Sequence, residues 1–240
     1  MSRHRIFYGE VLQAGLSFRL SDSAARHVQV LRLQPGSLIE LFNGSGEAFT
    51  AQIELMGKHS VDVTVVQKLS FVAKPSNYTH IVVGMPANER MDWLVEKATE
   101  LGVSRITPVM SQRTVLRLSG DRATKRVDHW QGIAQSACSQ SGRNFLPQID
   151  VPLLLNEFLM SIQVSDKSLN ILLSLQANAP GWRELWMSKP AHVTVLSGPE
   201  GGFTQEEESA ALQHGFLSAS LGPFVLRAET AALTVLAQLL

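Results

Sequence analysis

Cysteine is nearly absent from this 240-residue sequence, which contains one residue of the type, Cys138. A single cysteine excludes an internal disulfide framework and a multi-cysteine zinc site. Every apolar run is much shorter than the roughly 20 residues that cross a bilayer. The basic N-terminus, MSRHRIFYGE, lacks the apolar core of a signal peptide, so we expect a cytoplasmic protein without a membrane anchor.

The formal net charge of the chain is zero, because 21 Lys and Arg residues balance 21 Asp and Glu residues. The distribution of charge is uneven, however. Residues 100–147 contain seven basic and three acidic residues, whereas residues 196–230 contain five acidic residues and one arginine. A basic middle is typical either of a polyanion-binding surface or of solvated helix faces, and charge alone leaves both interpretations open.

The first part of the chain, residues 1–73, has the pattern of short strands around one helix. Ser21 can cap that helix, which is predicted to run to Leu33, and Asn43-Gly44 is typical of a hairpin turn. Several short strands with one helix predict a small β-barrel domain, followed by a linker at residues 74–77.

The second part, residues 78–240, alternates strand and helix patterns, which predicts an α/β domain with a mainly parallel sheet. The runs Leu169–Leu175 and His192–Ser197 are largely apolar, as expected for strands buried on both faces. Thr204 and Glu207 form a capping-box pattern at the start of a helix. An earlier helix is predicted to pack through one stripe, composed of Trp93, Leu94, Lys97, Ala98 and Leu101.

Two glycine-proline corners follow predicted strands. The first is SGPEGGF, residues 197–203, and the second begins at Gly222-Pro223. Ligands of open α/β sheets bind outside the carboxyl ends of strands, so both corners could hold one ligand; both could also be simple turns. The sequence contains neither GxxxxGK[ST] nor GxGxxG, which argues against a nucleoside triphosphate or a dinucleotide.

Four blocks in this order along the chain resemble signature blocks of the RsmE family: EKATELGV (96–103), QSGRNFLP (140–147), SGPEGGF (197–203) and LGPFVLRAETAAL (221–233). HVQVLRLQPG (27–36) and LFNGSG (41–46) resemble the PUA-like N-terminal domain of that family. The family methylates N3 of a uridine in 16S ribosomal RNA and belongs to the SPOUT superfamily. The resemblance implies a SPOUT-type parallel sheet with a C-terminal trefoil knot at residues 78–240 and a PUA-like β-barrel at residues 1–73. It also implies S-adenosylmethionine as cofactor, ribosomal RNA as partner and a homodimer.

The resemblance further implies a cofactor pocket built largely from the two corners. Its residues would be Leu175, Leu196, Gly198, Pro199, Glu200, Gly201, Leu221, Gly222, Leu226 and Thr230. The glycines at 198, 201 and 222 would let the cofactor lie on bare backbone, and the leucines at 196, 221 and 226 would flank its adenine.

For the chemistry, Arg227 is the candidate that stabilises negative charge on a uracil carbonyl oxygen. Glu229 is the candidate that accepts the N3 proton, with Glu200 as an alternative. Both acids also have a plain structural interpretation. Glu229 stands in the first turn of a helix, where a carboxylate is favoured, and Glu200 can simply hold its turn.

Seven arginines are candidates for phosphate contacts with RNA: Arg3, Arg5, Arg26, Arg32, Arg113, Arg117 and Arg143. We predict no metal, because the histidines show no ligand spacing with cysteines or acids. The sequence departs from the usual family residues at Ala87, Ser139, Phe224 and Ala228. Two alternatives therefore stay open: a methyltransferase that acts on another RNA, and a non-catalytic RNA-binding relative.

Overall fold

The computed structural model describes residues 4–72, 77–176, 179–188 and 190–239. Arg3 and the linker residues 74–76 lie outside the described residues. The chain forms two compact units. The first consists of residues 1–74 together with Gln135–Leu146, and the second of residues 75–134 together with Pro147–Leu240.

The first unit contains a five-stranded sheet in the order β1-β3-β4-β5-β2. Its strands are β1 Arg5–Phe7, β2 Ser17–Arg19, β3 Leu38–Phe42, β4 Glu47–Met56 and β5 Val61–Phe71. β1 pairs with β3 in parallel, and the other pairings are antiparallel. The sheet and helix α1, Asp22–Val30, enclose a core that includes Val28, Leu41 and Ile53.

Helix α1 begins as the sequence predicts, because the Ser21 hydroxyl accepts a hydrogen bond from the Ala24 amide at 3.4 Å. It ends at Val30 rather than Leu33. Arg32 has a φ of 55°, and a residue in this left-handed conformation cannot continue a right-handed helix. The chain therefore leaves the helix before Pro35 is reached.

The second unit is an α/β structure around a seven-stranded sheet in which every pairing is parallel. Its strands are β6 Tyr78–Gly84, β7 Arg105–Met110, β8 Gln148–Ile149, β9 Leu153–Leu154, β10 Ser168–Leu173, β11 His192–Ser197 and β12 Leu217–Ala219. They lie in the order β12-β10-β11-β6-β7-β8, and β9 also pairs with β7. The prediction of a parallel α/β sheet is confirmed.

The described residues of this part of the chain also form α-helices: α2 Asn88–Glu100, α3 Gly120–Ser141, α4 Leu155–Ser161, α5 Trp182–Leu185, α6 Gln205–Gln213 and α7 Ala228–Leu239, with a 3-10 helix at Trp186–Ser188. The residues of α3 from Gln135 onward belong to the first unit. Across the part of the chain that the structure describes, no helix has the length and apolar character of a membrane span.

The predicted packing stripe of α2 is confirmed at Leu94 and Ala98 and is wrong at two other positions. Trp93 is 45% exposed, and Lys97 forms ion pairs with Glu96 and Glu100 at 2.7 and 2.8 Å rather than packing inward. Leu94 and Ala98 are buried together with Met91 and Val95, which were not part of the predicted stripe. The aromatic ring of Trp93 lies at the edge of this buried face.

Candidate cofactor and active site

The first corner follows β11 and packs tightly against the end of β6. A Cβ added at Gly84 would lie 2.4 Å from both Cδ and N of Pro199, so only a glycine allows the two chains to approach this closely. The turn is closed by a hydrogen bond from the Gly202 amide to the Pro199 carbonyl at 2.8 Å. Pro199 is buried, and these contacts hold it in place at the corner.

Glu200 ties the first corner to the start of α2. Its carboxylate accepts hydrogen bonds from the Ala87 amide at 3.1 Å and from the Arg90 guanidinium at 3.3 Å. Ala87 is the N-cap residue of α2, where a negative charge is favoured by the helix dipole. These contacts match the turn-holding interpretation of Glu200.

Gly201 lies beside Arg113. A Cβ at residue 201 would be 3.2 Å from the Arg113 Cβ, and the Arg113 guanidinium donates to the Gly201 carbonyl at 2.8 Å and to the Phe203 carbonyl at 3.4 Å. The space beside this glycine is therefore filled by an arginine side chain. Arg113, predicted as a phosphate contact, is already engaged in holding the corner.

The second corner follows β12, next to β10 in the sheet. The Ser220 amide donates to the Pro180 carbonyl at 2.8 Å, and the Ser220 hydroxyl accepts from the Gly222 amide at 3.3 Å. Gly222 has a φ of 129°, a backbone conformation that residues other than glycine rarely adopt. A Cβ added to it would have no atom within 4 Å. The main chain of this corner is thus open on the Cβ side of Gly222.

A hydrogen bond joins the two corners. The buried Ser197 hydroxyl, at the end of β11, donates to the Ala228 carbonyl at the start of α7 at 3.2 Å. Because β12, β10, β11 and β6 are parallel neighbours, their carboxyl ends meet at one edge of the sheet. The two corners therefore lie at one edge, as the sequence predicts.

Glu229 and Arg227 contrast in their surroundings. Glu229 is 5% exposed, and its Oε2 is buried without a hydrogen-bond partner among the described residues. Arg227 is exposed, and its guanidinium makes no hydrogen bond or ion pair to any residue that the structure describes. A buried carboxylate oxygen without a partner is costly, and it is the kind of group that a bound ligand satisfies.

The predicted apolar contacts separate into three groups. Leu196 is fully buried in the core with Val82 and Leu172, which leaves its main chain, not its side chain, for a ligand. Leu175 lies beyond the end of β10 and is 74% exposed. Leu221 packs against the cluster that contains Val235, while Leu226 and Thr230 are half-buried.

Gly198 belongs to the turn of the first corner. A Cβ added there would be 3.1 Å from the Phe203 amide nitrogen, so the turn itself requires this glycine.

The candidate RNA-binding arginines of the first unit differ in exposure. Arg5 forms a salt bridge with Glu40, donates to the Asn144 Oδ1 at 2.6 Å and lies over the Phe42 ring at 4.8 Å. Only 14% of the Arg5 side chain is exposed, and these contacts hold it within this unit. Arg143 is half-buried, and burial lowers its pKa. Arg26 and Arg32 are exposed.

Arg117, in the second unit, is exposed and makes a long contact of 3.5 Å with the Ser111 carbonyl. Cys138 is buried, and desolvation raises its pKa to about 11, so the thiol is inert at neutral pH. Within the described ranges, no group of three or more His, Cys, Asp and Glu residues is arranged to hold a metal ion.

Comparison with known proteins identifies the family. Residues 73–240 match the RNA methyltransferase domain family, and residues 20–66 match the RNA methyltransferase PUA domain family. A ribosomal RNA small subunit methyltransferase E from Neisseria gonorrhoeae, solved bound to S-adenosyl methionine, is 34% identical and superposes with a TM-score of 0.90, covering 98% of this chain and 96% of its own. The chain belongs to the RsmE family.

Two further relatives agree with membership of the RsmE family. A methyltransferase from Legionella pneumophila, solved with bound cofactor SAM, is 35% identical with a TM-score of 0.93 over 100% of this chain and 97% of its own. A ribosomal RNA small subunit methyltransferase E from Buchnera aphidicola is 26% identical over 98% of this chain and 92% of its length. The small N-terminal domain is thus PUA-like, as expected.

Sequence reasoning missed two contributors to the site of this RsmE-family chain. Gly84 is required by the close approach of Pro199, and a glycine at the end of an apolar strand is the signal that could have found it. Arg113 was placed among the RNA contacts, and only the tertiary structure reveals that its guanidinium binds the Gly201 carbonyl.

Proposed function

We propose that this chain is an S-adenosylmethionine-dependent methyltransferase that acts on N3 of a uridine in 16S ribosomal RNA. The observation that carries the proposal within the structure is the start of α7. There the free guanidinium of Arg227 and the unpartnered carboxylate oxygen of Glu229 stand two residues apart, beside two main-chain corners at the carboxyl edge of the sheet. Membership of the RsmE family supplies the reaction class.

The corners suit a cofactor that is held mainly by backbone groups. Gly222 is open on its Cβ side, and Ser197 fixes the spacing of the two corners through Ala228. Leu221, Leu226 and Thr230 offer half-buried side chains along the same segment. When bound there, S-adenosylmethionine supplies an electrophilic methyl group on a sulfonium. Two relatives solved with this cofactor support its assignment.

The uracil imide must lose the N3 proton before that nitrogen can attack a methyl group. Glu229 accepts this proton, because its Oε2 is the buried acceptor without an internal partner. Arg227 places a fixed positive charge against the uracil carbonyl oxygen on which negative charge develops. Glu200 is occupied by Ala87 and Arg90, which leaves Glu229 as the better proton acceptor.

The remaining features of the proposal rest on the family resemblance. The C-terminal segment forms a SPOUT-type trefoil knot, and two copies of the chain assemble as a homodimer. Residues 1–73 act as the RNA-binding domain and residues 78–240 as the methyltransferase domain. Exposed Arg26, Arg32 and Arg117 contact phosphates. A cytoplasmic location follows from the proposed substrate, and no metal takes part.

Replacement of Arg227 tests this proposal. We expect R227A to lower the rate of methyl transfer to small-subunit RNA about 100-fold or more, and R227K to recover part of it, with the calorimetric affinity for S-adenosylmethionine unchanged. R122A removes another exposed arginine, on α3, and is the matched control.

Mass mapping of ribosomal RNA from a deletion strain identifies the target. If no uridine lacks a methyl group in the deletion strain, the proposed activity is wrong. If another RNA lacks a methyl group instead, that RNA is the substrate.

A further inference from the structure

A cavity lies in the α/β unit, and no residue of the two corners lines it. It is a cavity of ≈ 360 Å³ lined by His80, Arg105, Thr107, Asp150, Phe158 and Thr194, among others. We call it the His80 cavity. On β11, Thr194 precedes Ser197, the first residue of the first corner, by three residues. The cavity therefore lies about 10 Å from that corner, toward the amino ends of the strands.

The floor of the His80 cavity belongs to a polar row across the sheet. Asn170 pairs with Thr194, Thr194 with His80, and His80 with Arg105, so their side chains share one face. The centre of the next row on that face, Leu172, Leu196 and Val82, is apolar and belongs to the core under α4 and α6, while Ser218 and Thr107 stand at its two sides. A sheet of this kind normally continues such an apolar surface to its end, and here it does not.

A chain of hydrogen bonds fixes the donors and acceptors of the His80 cavity. Asp150 Oδ2 accepts from the Thr107 hydroxyl and from Arg105 Nε at 2.7 Å. Because Thr107 donates its one hydrogen to Asp150, its oxygen accepts from His80 Nε2 at 2.7 Å. Burial, then the charge of Arg105, lower the pKa of His80 to about 4 against the opposing effect of Asp150. The imidazole is therefore neutral near pH 7, with Nδ1 as an acceptor.

One amide of the polar row has no partner. Asn170 is 3% exposed, and its Nδ2 is buried without a hydrogen bond to any described residue. Buried side-chain donors are satisfied in the great majority of native structures, so this amide is an exception within the polar row. Asn170 does not itself line the His80 cavity, but it pairs with Thr194, which does. This amide and the hydroxyl of Thr194 are adjacent in the row.

The charges and shape of the His80 cavity select the class of ligand. Arg105 and Asp150 neutralise each other, so a ligand with a full charge of either sign would meet a like charge. The buried edge of Phe158, together with Ile162 and Leu153, supplies apolar surface, and Gln163 and Ser161 supply polar groups at the rim. An uncharged planar ring with hydrogen-bonding edges fits both the apolar surface and the polar groups of this cavity. A volume of ≈ 360 Å³ is in the size range of small-molecule sites.

We propose that the His80 cavity is a second binding site, separate from the methyl-transfer site, for a nucleoside. The nucleoside is either free or an unpaired nucleotide of an RNA strand, since both present the same ring and edges. Thr194 and the neutral imidazole of His80 bond its polar edge, and Phe158 contacts the ring. The site does not depend on the proposed methyl transfer.

Calorimetric titration of the full chain tests the proposal in two arms. One arm uses uridine, cytidine, adenosine and guanosine, and the other uses a single-stranded oligoribonucleotide. T194V keeps the shape of the side chain and removes its hydroxyl, and Q163A shortens an exposed residue at the rim of the cavity. We expect each variant to weaken binding about fivefold, in line with the loss of one or two hydrogen bonds, with an unchanged melting temperature.

The outcomes separate the sources and the sites. Nucleoside binding that weakens in T194V and Q163A but persists in R227A assigns the His80 cavity to a free nucleoside. Oligoribonucleotide binding that weakens in the same two variants, without heat from single nucleosides, assigns it to an RNA nucleotide. Affinities that are equal in wild type, T194V and Q163A overturn the proposal, and they do so whether or not the chain methylates RNA.

Discussion

Gly84 lies so close to Pro199 that the atom positions leave no room for a methyl group between them. We expect G84A to push the first corner away from β6, because the nearest atoms are backbone and a proline ring rather than a flexible side chain. The expected results are a stability loss of roughly 1–3 kcal/mol and at least tenfold weaker binding of S-adenosylmethionine, measured by denaturant unfolding and calorimetry.

The control for this change is G132A. Gly132 lies within α3, and no atom within 4 Å would meet its Cβ, so alanine there should raise stability by about 0.5–1 kcal/mol without affecting cofactor binding. Normal cofactor affinity in G84A would show that the corner tolerates displacement.

Arg113 binds the carbonyls of Gly201 and Phe203 through its guanidinium. We therefore expect R113A to lower the melting temperature and weaken the binding of S-adenosylmethionine about tenfold, because the corner loses charge-assisted hydrogen bonds. R117A removes an exposed arginine with one long internal contact and should change neither quantity. Loss of RNA affinity alone in R113A would return this residue to the phosphate contacts.

Glu229 is the buried acid of the proposed active site. E229Q keeps its shape and removes its charge, so turnover should fall about 100-fold or more while cofactor affinity stays unchanged. Folding stability should not fall, because the unpartnered carboxylate oxygen is replaced by a neutral group.

The matched control is E206Q, which also changes a carboxylate in the first turn of a helix. If Glu229 only complements the dipole of α7, E229Q and E206Q would show the same small loss of stability and full activity. That pattern would remove Glu229 from the proton-transfer step.

His80 makes stability depend on pH. Its pKa in the folded chain is about 4, below the ordinary value of 6.5, so the unfolded chain binds the proton first as the pH falls. This group therefore destabilises the fold progressively from pH 6.5 to pH 4, by roughly 3 kcal/mol in total, and has no effect above that window. Denaturant unfolding of wild type and H80Q across pH 4.5–7.5 measures the difference. Parallel curves for the two proteins would contradict the assignment.

Local signals in the sequence predicted much of the second unit. β11 runs from His192 to Ser197 as its apolar pattern indicates. The capping box is formed as expected: the Thr204 hydroxyl accepts from the Glu207 amide, and the Glu207 carboxylate accepts from the Thr204 amide. These features depend on residues within a few positions of each other, which is why a single sequence is enough to find them.

Features that depend on distant residues could not be found in this way. Arg5 looks like a surface charge beside His4 in the sequence, yet its partner Asn144 is 139 residues away. The short helix α4, whose Phe158 lines the His80 cavity, was not predicted. The role of Gly84 is defined by Pro199, which arrives from another strand. Tertiary contacts decide such cases.

The first unit is assembled from two separate pieces of chain, residues 1–74 and Gln135–Leu146. The second piece supplies the Asn144 side chain and the Arg143 carbonyl, both of which accept hydrogen bonds from Arg5. A fragment that ends at Lys74 would retain the buried guanidinium and lose these two acceptors. Isolation of the N-terminal unit for binding studies therefore calls for a circularly permuted or linker-joined chain rather than a simple truncation.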